Sequence, residues 1–265
     1  MSYKVLISPK MEYYINKFQS VFKARGVIGV FFLILLYPIK LIKRKILEFR
    51  ILVAKSPEKK FQIIFWNNYW NENETVSGEG STMDNTKNLR KVLPQIISEL
   101  NIKSIIDIPC GDFKWMELIV NNIEVKYTGG DIVRDLIDDL NTKYSNSNIS
   151  FIQKNIIQDN LEYHDLLIVR DLFVHIPNRD IIKVIKNYID SKIPYLLVSN
   201  YSDLDKTINP DIRMGFFRNV SLQLEPFNIK DDPIYKIDDS TPFIKRELCL
   251  WSRKQIVNSL SLNKY

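Results

Sequence analysis

Three carboxylates stand where buried stretches of this chain end. They are Asp107 in Ser104-Ile-Ile-Asp-Ile-Pro-Cys-Gly-Asp112, Asp131 in Tyr127-Thr-Gly-Gly-Asp131, and Asp171 in Arg170-Asp-Leu-Phe-Val-His175. Between the first two lies a turn, Pro109-Cys110-Gly111, that leads into a helix. Glycine in such a turn lets backbone approach a ligand, and the helix behind it offers free N–H groups. Asp107 and Asp112 make this turn acidic, which disfavours a pyrophosphate and favours a ligand with a cationic or hydroxyl-rich part. Asp131 follows Gly111 by twenty residues. At that distance, in nucleotide-binding strand–helix–strand units, an acidic strand end accepts hydrogen bonds from ribose hydroxyls. The alternative for Asp131 is a cap on the helix starting near Arg134. His175 is one of two histidines and falls in a loop beyond a strand. It is the first candidate for a general base, with a structural contact beside the ligand as the alternative. Cys110 is read as a small residue at a corner rather than a nucleophile. Only His164 or His175 could partner it, and two distant cysteines imply neither a disulfide framework nor a cysteine metal site. No metal site is expected.

These groups need elements to hold them. Ile105, Ile106 and Ile108 predict a strand into the turn, and Val125–Ile132 a second one. A helix over 135–144, strands at Ile149–Ile156 and Asp165–Val169, a helix at Arg179–Ile189 capped by Asn178, and a strand at Pro194–Ser199 continue the alternation. Alternation of this kind predicts an open parallel sheet, with the ligand outside the carboxyl ends of its strands. Asp107, Asp131, Asp171 and Asn200 are therefore expected around one site. After Tyr201 the pattern changes. Residues 202–214 are turn-rich, Phe216–Leu224 alternates like a strand, and Asp231, Asp232, Asp238 and Asp239 sit in a proline-containing loop. Glu247–Trp251 predicts a final strand, so an antiparallel pair closes the sheet, and Lys254–Leu260 a last helix.

Upstream of the sheet, Ser56–Lys60 reads as a linker and Phe61–Trp70 as a helix whose Trp66 and Trp70 belong to the core. Ser77-Gly-Glu-Gly-Ser81 reads as a mobile lid over the ligand, or as a plain linker. Leu89, Val92, Leu93, Ile96, Ile97 and Leu100 form a helical stripe interrupted by Pro94, which predicts a kink.

With 265 residues and 45% apolar content, the chain can hold one large domain with an appendage. Its net charge of +6 is uneven. Residues 1–60 carry thirteen Lys and Arg against three Glu, a surplus of ten, which leaves the remainder at −4. A mildly acidic body argues against a nucleic-acid-binding surface. Gly26–Ile39 is uncharged, and Ile42, Ile46, Phe49 and Val53 follow at helical spacing among Lys43, Arg44, Lys45 and Arg50. This pattern suits an anionic membrane surface. The expectation is a membrane anchor over 1–55, monotopic or marginally spanning, with the body on the cytoplasmic side. A buried helix packed on the body or a partner is the alternative, and would make the protein cytoplasmic.

Taken together, these residues resemble the class I S-adenosylmethionine-dependent methyltransferases. Asp107-Ile-Pro-Cys-Gly111 looks like their first motif, with Pro109 in place of the first glycine, and Tyr127-Thr-Gly-Gly-Asp131 looks like the second. Ser77-Gly-Glu-Gly-Ser81, Asp107-x-Pro-Cys-Gly-Asp-Phe-x-Trp115 and Arg170–His175 resemble a bacterial group often linked to glycan or small-molecule modification. Arg218-x-x-x-Leu222, Pro226-Phe227 and Leu248-Cys-Leu-Trp251 also fit. The resemblance covers Phe61 to the C-terminus. It implies a Rossmann-like, seven-stranded, mostly parallel α/β sheet with helices on both faces, in a domain over 56–265 with a lid at 61–86. It also implies S-adenosylmethionine, held by Ser77, Gly78, Gly80 and Ser81 of the lid and by Asp107, Pro109, Cys110, Gly111, Asp112 and Trp115 around the turn. Asp131 and Ile132, Asn155 and Ile156, and Arg170 complete that set, with Asn155 where an acidic adenine contact is usual. Catalysis would fall to His175, with Asp171, Tyr201 and Arg218 next as base, orienter and acceptor-binding group. The implied acceptor is a glycan or glycolipid precursor at the cytoplasmic membrane face, with a protein or small metabolite as the alternative. A dinucleotide-dependent oxidoreductase would need Gly-x-Gly-x-x-Gly after the first strand, which is absent. A non-catalytic anchored binding module stays open.

Overall fold

The computed structural model describes residues 9–70, 73–201, 207–241 and 245–262. The chain divides into two units, Met1–Arg50 and Ile51–Tyr265. Helix α1 (Pro9–Val53) is interrupted at Gly26 (φ 59°, ψ −158°). Along its last turns Ile42, Ile46, Phe49 and Val53 are all more than half exposed, so the predicted apolar stripe faces outward. Among the described residues no helix is long and apolar enough to cross a membrane. The side chains of 29–34, in the middle of the apolar run, lie outside the described residues.

The second unit begins at Ile51. Helix α2 (Pro57–Trp66) starts where a linker was expected. Ser56 caps it through Oγ, which accepts from the Lys59 N–H at 3.2 Å, and Pro57 occupies the first helical position, where its missing N–H is no loss. Helix α3 (Lys87–Glu99) contains Pro94 and buries Leu89, Leu93, Ile96 and Ile97.

Strand β1 (Ser104–Asp107), helix α4 (Lys114–Val120), β2 (Lys126–Asp131), α5 (Arg134–Tyr144), β3 (Ile149–Gln153), β4 (Leu166–Val169), α6 (Asn178–Ser191) and β5 (Tyr195–Asn200) then alternate as expected. Strands β6 (Tyr235–Asp238) and β7 (Glu247–Ser252) and helix α7 (Arg253–Leu262) complete the chain. The seven strands lie in the order β3-β2-β1-β4-β5-β7-β6. The first five are parallel, and β7 is antiparallel to both β5 and β6. Because side chains alternate along a strand, Ile105 joins the core under α3, α4 and α5, and Ile106 joins the one under α6 and α7.

Two expectations fail in the C-terminal part. Phe216–Leu224 forms no strand, although Val220 and Leu222 are buried. Its backbone is held piecemeal: the Tyr201 N–H donates to Val220 O at 3.0 Å, and the Leu222 N–H to Asn200 Oδ1 at 2.8 Å. The partner of β7 comes instead from 235–238, read above as loop, where only Ile237 is buried. Of the turn-rich stretch 202–214, residues 202–206 lie outside the described residues.

Candidate active site

The chain leaves β1 for β2 on one side of the sheet and later enters β4 on the other, so the β1/β4 boundary is its switch point. A cleft of about 1020 Å³, counting open solvent at its mouth, lies there, and Asp107, Asp131 and Asp171 all line it. Asn200, the fourth expected strand-end residue, does not. It is fully buried and binds the Leu222 N–H.

The turn after β1 is built by packing from both sides. The Ile108–Pro109 bond is cis, and Gly111 has φ +57°. A Cβ on Gly111 would come within 2.2 Å of Ser77 Oγ, so the serine of the Gly-rich loop needs this glycine. Ser77 Oγ accepts from the Asp112 N–H at 3.2 Å, and Asp112 Oδ2 from the Val76 N–H at 3.3 Å. Asp112 also pairs with Lys114 at 3.6 Å. Its carboxylate therefore ties the loop to the turn and does not line the cleft, contrary to expectation.

Asp107 and Asp131 are the acids the cleft presents beside the β1 turn. Burial raises Asp107 to about 7, against the Tyr127 hydroxyl, which donates to its Oδ2 at 2.9 Å, and against the Arg170 charge. Burial likewise raises Asp131 to about 6, against backbone donors that include the Val133 N–H at 3.0 Å. Asp131 thus lines the cleft and folds the backbone before α5 without capping that helix, whose N-cap is Val133 and has no side-chain cap. Two buried acids held up in this way favour a cation between them. Ile132, Asn155 and Ile156 continue the wall. Asn155 Oδ1 accepts from the Ile157 N–H at 3.1 Å, which leaves one lone pair for a ligand.

Beside β4 the cleft floor is ionic. Arg170 donates to Gly80 O at 2.6 Å, to Ser81 Oγ at 3.2 Å and to both oxygens of Asp239, and it lies 5.4 Å over the Trp115 ring. Arg246 donates to Asp171 Oδ1 at 2.7 Å and pairs with Asp239 at 3.0 Å. Gly80 sits so close that a Cβ there would meet Arg246 Nη2 at 2.6 Å. The Gly-rich loop is thus latched from below: Ser77 and Ser81 line the cleft, while Gly78 packs on Trp70 and Gly80 on Arg246.

The expected catalytic residues separate. Asp171 does line the cleft, but although burial pushes its carboxyl up, Arg246 and Arg170 outweigh that and hold it at about 2. Ser199 Oγ donates to it as well, so it is a poor proton acceptor. Tyr201 is buried outside the cleft, and burial pushes its hydroxyl up to about 12. Arg218 is buried too, and donates to Pro210 O, Phe173 O and Asn178 Oδ1 at 2.6–2.7 Å. It clamps backbone and is not placed to bind an acceptor. His175 remains. Its Nδ1 lies 2.8 Å from Phe216 O, and a carbonyl can only accept, so Nδ1 carries the proton and Nε2 is the bare nitrogen. Burial lowers its pKa below the ordinary 6.5, which keeps the ring neutral at pH 7.

The sequence reading missed the aromatic wall. Phe61, Phe65 and Trp70 line the cleft, and the Trp70 ring lies against His175 with centroids 5.1 Å apart and planes tilted by 32°. Trp66, expected in the core, is mostly exposed and donates to Asp135 at 2.7 Å. Helical spacing of the four aromatics was the available signal, but it does not say which ones face a ligand. Asp239 was legible only as one of four aspartates in a loop, and Arg246 carried no signal in the sequence.

No family model matches the chain, and no curated protein matches it. Among solved structures, it is similar to N-methyltransferase NodS from Bradyrhizobium japonicum WM9 in complex with S-adenosyl-L-homocysteine. The match has 12% identity, covers 71% of this chain and 97% of that one, and has a TM-score of 0.52. It is also similar to magnesium protoporphyrin IX methyltransferase (ChlM) from Synechocystis PCC 6803 with bound S-adenosylhomocysteine. That match has 11% identity, covers 72% of this chain and 93% of that one, and has a TM-score of 0.50. At such identities the likeness is one of fold: the Rossmann-like methyltransferase sheet with its antiparallel C-terminal pair.

Proposed function

We propose that this chain is an S-adenosylmethionine-dependent methyltransferase that uses the β1/β4 cleft. The observation that carries this reading is the pair of buried acids, Asp107 and Asp131, on either side of the Gly111 turn. Both are raised by burial, so both gain from a ligand that brings a cation and ribose hydroxyls. The residues fit the cofactor. Asp131 would hold the ribose, Asp107 would face the cationic methionyl end, and Ile132, Asn155 and Ile156 would hold the adenine. S-adenosylmethionine supplies a methyl group already activated on a sulfonium. The protein's part is to align the acceptor, exclude water and take up a proton. The latched Gly-rich loop and the Phe61, Phe65 and Trp70 wall exclude water, and His175 Nε2 takes the proton from an acceptor hydroxyl or amine.

For the acceptor we favour a glycan or glycolipid precursor at the cytoplasmic membrane face. Support comes from the resemblance of the Ser77–Ser81, Asp107–Trp115 and Arg170–His175 motifs, and from the exposed apolar stripe with its basic neighbours on α1. Incubating purified full-length protein with methyl-labelled S-adenosylmethionine and fractions from cells lacking it tests this. Label is expected in the glycan or glycolipid fraction; label confined to protein or small metabolites would refute this acceptor class. The purified chain is also expected to float with anionic vesicles, and failure to do so would refute the anchor.

A further inference from the structure

The tautomer of His175 depends on a single carbonyl, Phe216 O, and the structure shows what holds that carbonyl in place. Residues 213–218 are stitched to the 3-10 turn Phe173–His175. The Gly215 N–H donates to His175 O at 2.8 Å, the Arg218 N–H to Val174 O at 3.0 Å, and the Arg218 guanidinium to Phe173 O. At the hinge of this stitching Gly215 has φ +90°, a conformation that L side chains rarely adopt. It is also closely covered: a Cβ there would stand 2.9 Å from Ile51 Cγ2 and 3.3 Å from Ile64 Cδ1. Ile51 and Ile64 are each 1% exposed. Ile51 belongs to the last turn of α1, whose carbonyls at Ile51 and Leu52 receive Lys60 Nζ at 2.6 and 3.0 Å. A continuous path of contacts therefore runs from the end of α1 through Gly215 and Phe216 to the imidazole.

We propose that Ile51, Ile64 and Gly215 are positioning residues for His175, fixing the Phe216 carbonyl and so leaving Nε2 as the bare nitrogen. The proposal rests on the reading of His175 as the base. It makes the end of the N-terminal helix part of the reaction centre, although no atom of that helix is assigned to any ligand. The charged groups acting on His175 are Asp171, Arg218 and Arg246, and none of them is itself substituted in the variants at 51, 64 or 215.

The contact of Trp70 with His175 supplies a readout that needs neither cofactor nor acceptor, because an imidazolium against an indole quenches its fluorescence. The experiment is a pH titration of tryptophan fluorescence in the full-length chain. The wild type is expected to show a transition below pH 6.5 that Trp70→Phe removes. In Gly215→Ala and in Ile51→Ala the Phe216 carbonyl, whose hydrogen bond favours the imidazolium, is no longer held against Nδ1, and the midpoint is expected to fall by about half a pH unit or more. Ile102→Ala, an equally buried change elsewhere in the core, controls for general loosening and should leave the midpoint in place. If Gly215→Ala does not fold, Ile51→Val carries the same test with a smaller shift. A Trp70-dependent midpoint that stays at the wild-type value in the Ile51 variants, or the lack of any such transition, would overturn the proposal. Calorimetric binding of S-adenosylmethionine tests the cofactor reading separately, so the two can fail independently.

Discussion

At the scale of the residue, the acids of the cleft are defined by what surrounds them. Asp107 and Asp131 are raised to about 7 and about 6 from an ordinary 3.8. For carboxyls whose folded value is raised, the stability they confer is complete below the unfolded value and is lost as pH rises through the folded one. The ligand-free protein should therefore lose stability between about pH 4 and pH 7 on their account, and a chemical-denaturation series over that range checks it. A cationic ligand reverses the sign, since it needs the ionised forms. Affinity for S-adenosylmethionine is expected to fall by about tenfold or more between pH 8 and pH 5, and a flat profile would remove both acids from the cation's surroundings. The same reasoning withdraws Asp171 from acid–base work, because two guanidiniums hold it at about 2. The sequence showed these carboxylates at strand ends but not their partners. Arg246 lies 75 residues beyond Asp171, and no local pattern announces such a pairing.

At the scale of the element, the Gly-rich loop and the β1 turn act as one unit. Gly111 is required because Ser77 Oγ occupies the place of its missing Cβ. Gly111→Ala is expected to cost about 1–3 kcal/mol, from the collision and the positive φ together. In that background Ser77→Ala should restore part of the loss. A thermal-melting double-mutant cycle measures this, and simple additivity of the two changes would mean that they do not touch. Here the sequence was informative about existence and poor about boundaries. The alternating pattern and the Asp107–Asp131 spacing located β1 through β5, because buried parallel strands read as continuous apolar runs. Strand β6 was missed because Tyr235–Asp238 buries one residue, and Phe216–Leu224 was misread because its alternation serves a loop whose carbonyls and amides bind elsewhere. Ser56 and Pro57 were a legible cap and first position for α2, obscured by the lysines that follow.

At the scale of the whole molecule, the second unit brings residues from 61 to 246 together at one cleft. Asp239, entirely buried between Arg170 and Arg246, ties the antiparallel C-terminal pair to the end of β4 and to the loop above it. Asp239→Asn leaves two buried guanidiniums short of a counter-charge and is expected to destabilise the fold by about 3–5 kcal/mol. Denaturant midpoints measure that loss; a change below about 1 kcal/mol would show that the cluster is solvated in solution. The functional reading of this assembly is that it binds S-adenosylmethionine through its acidic cleft. Calorimetric titration of the purified full-length chain near pH 8 tests that claim most directly, with wild type and Asp131→Asn each titrated with S-adenosylmethionine and with NAD. The account predicts saturable binding of S-adenosylmethionine to the wild type, about tenfold or more weaker in Asp131→Asn, and no binding of NAD. Absence of S-adenosylmethionine binding, or an affinity indifferent to Asp131, would contradict it.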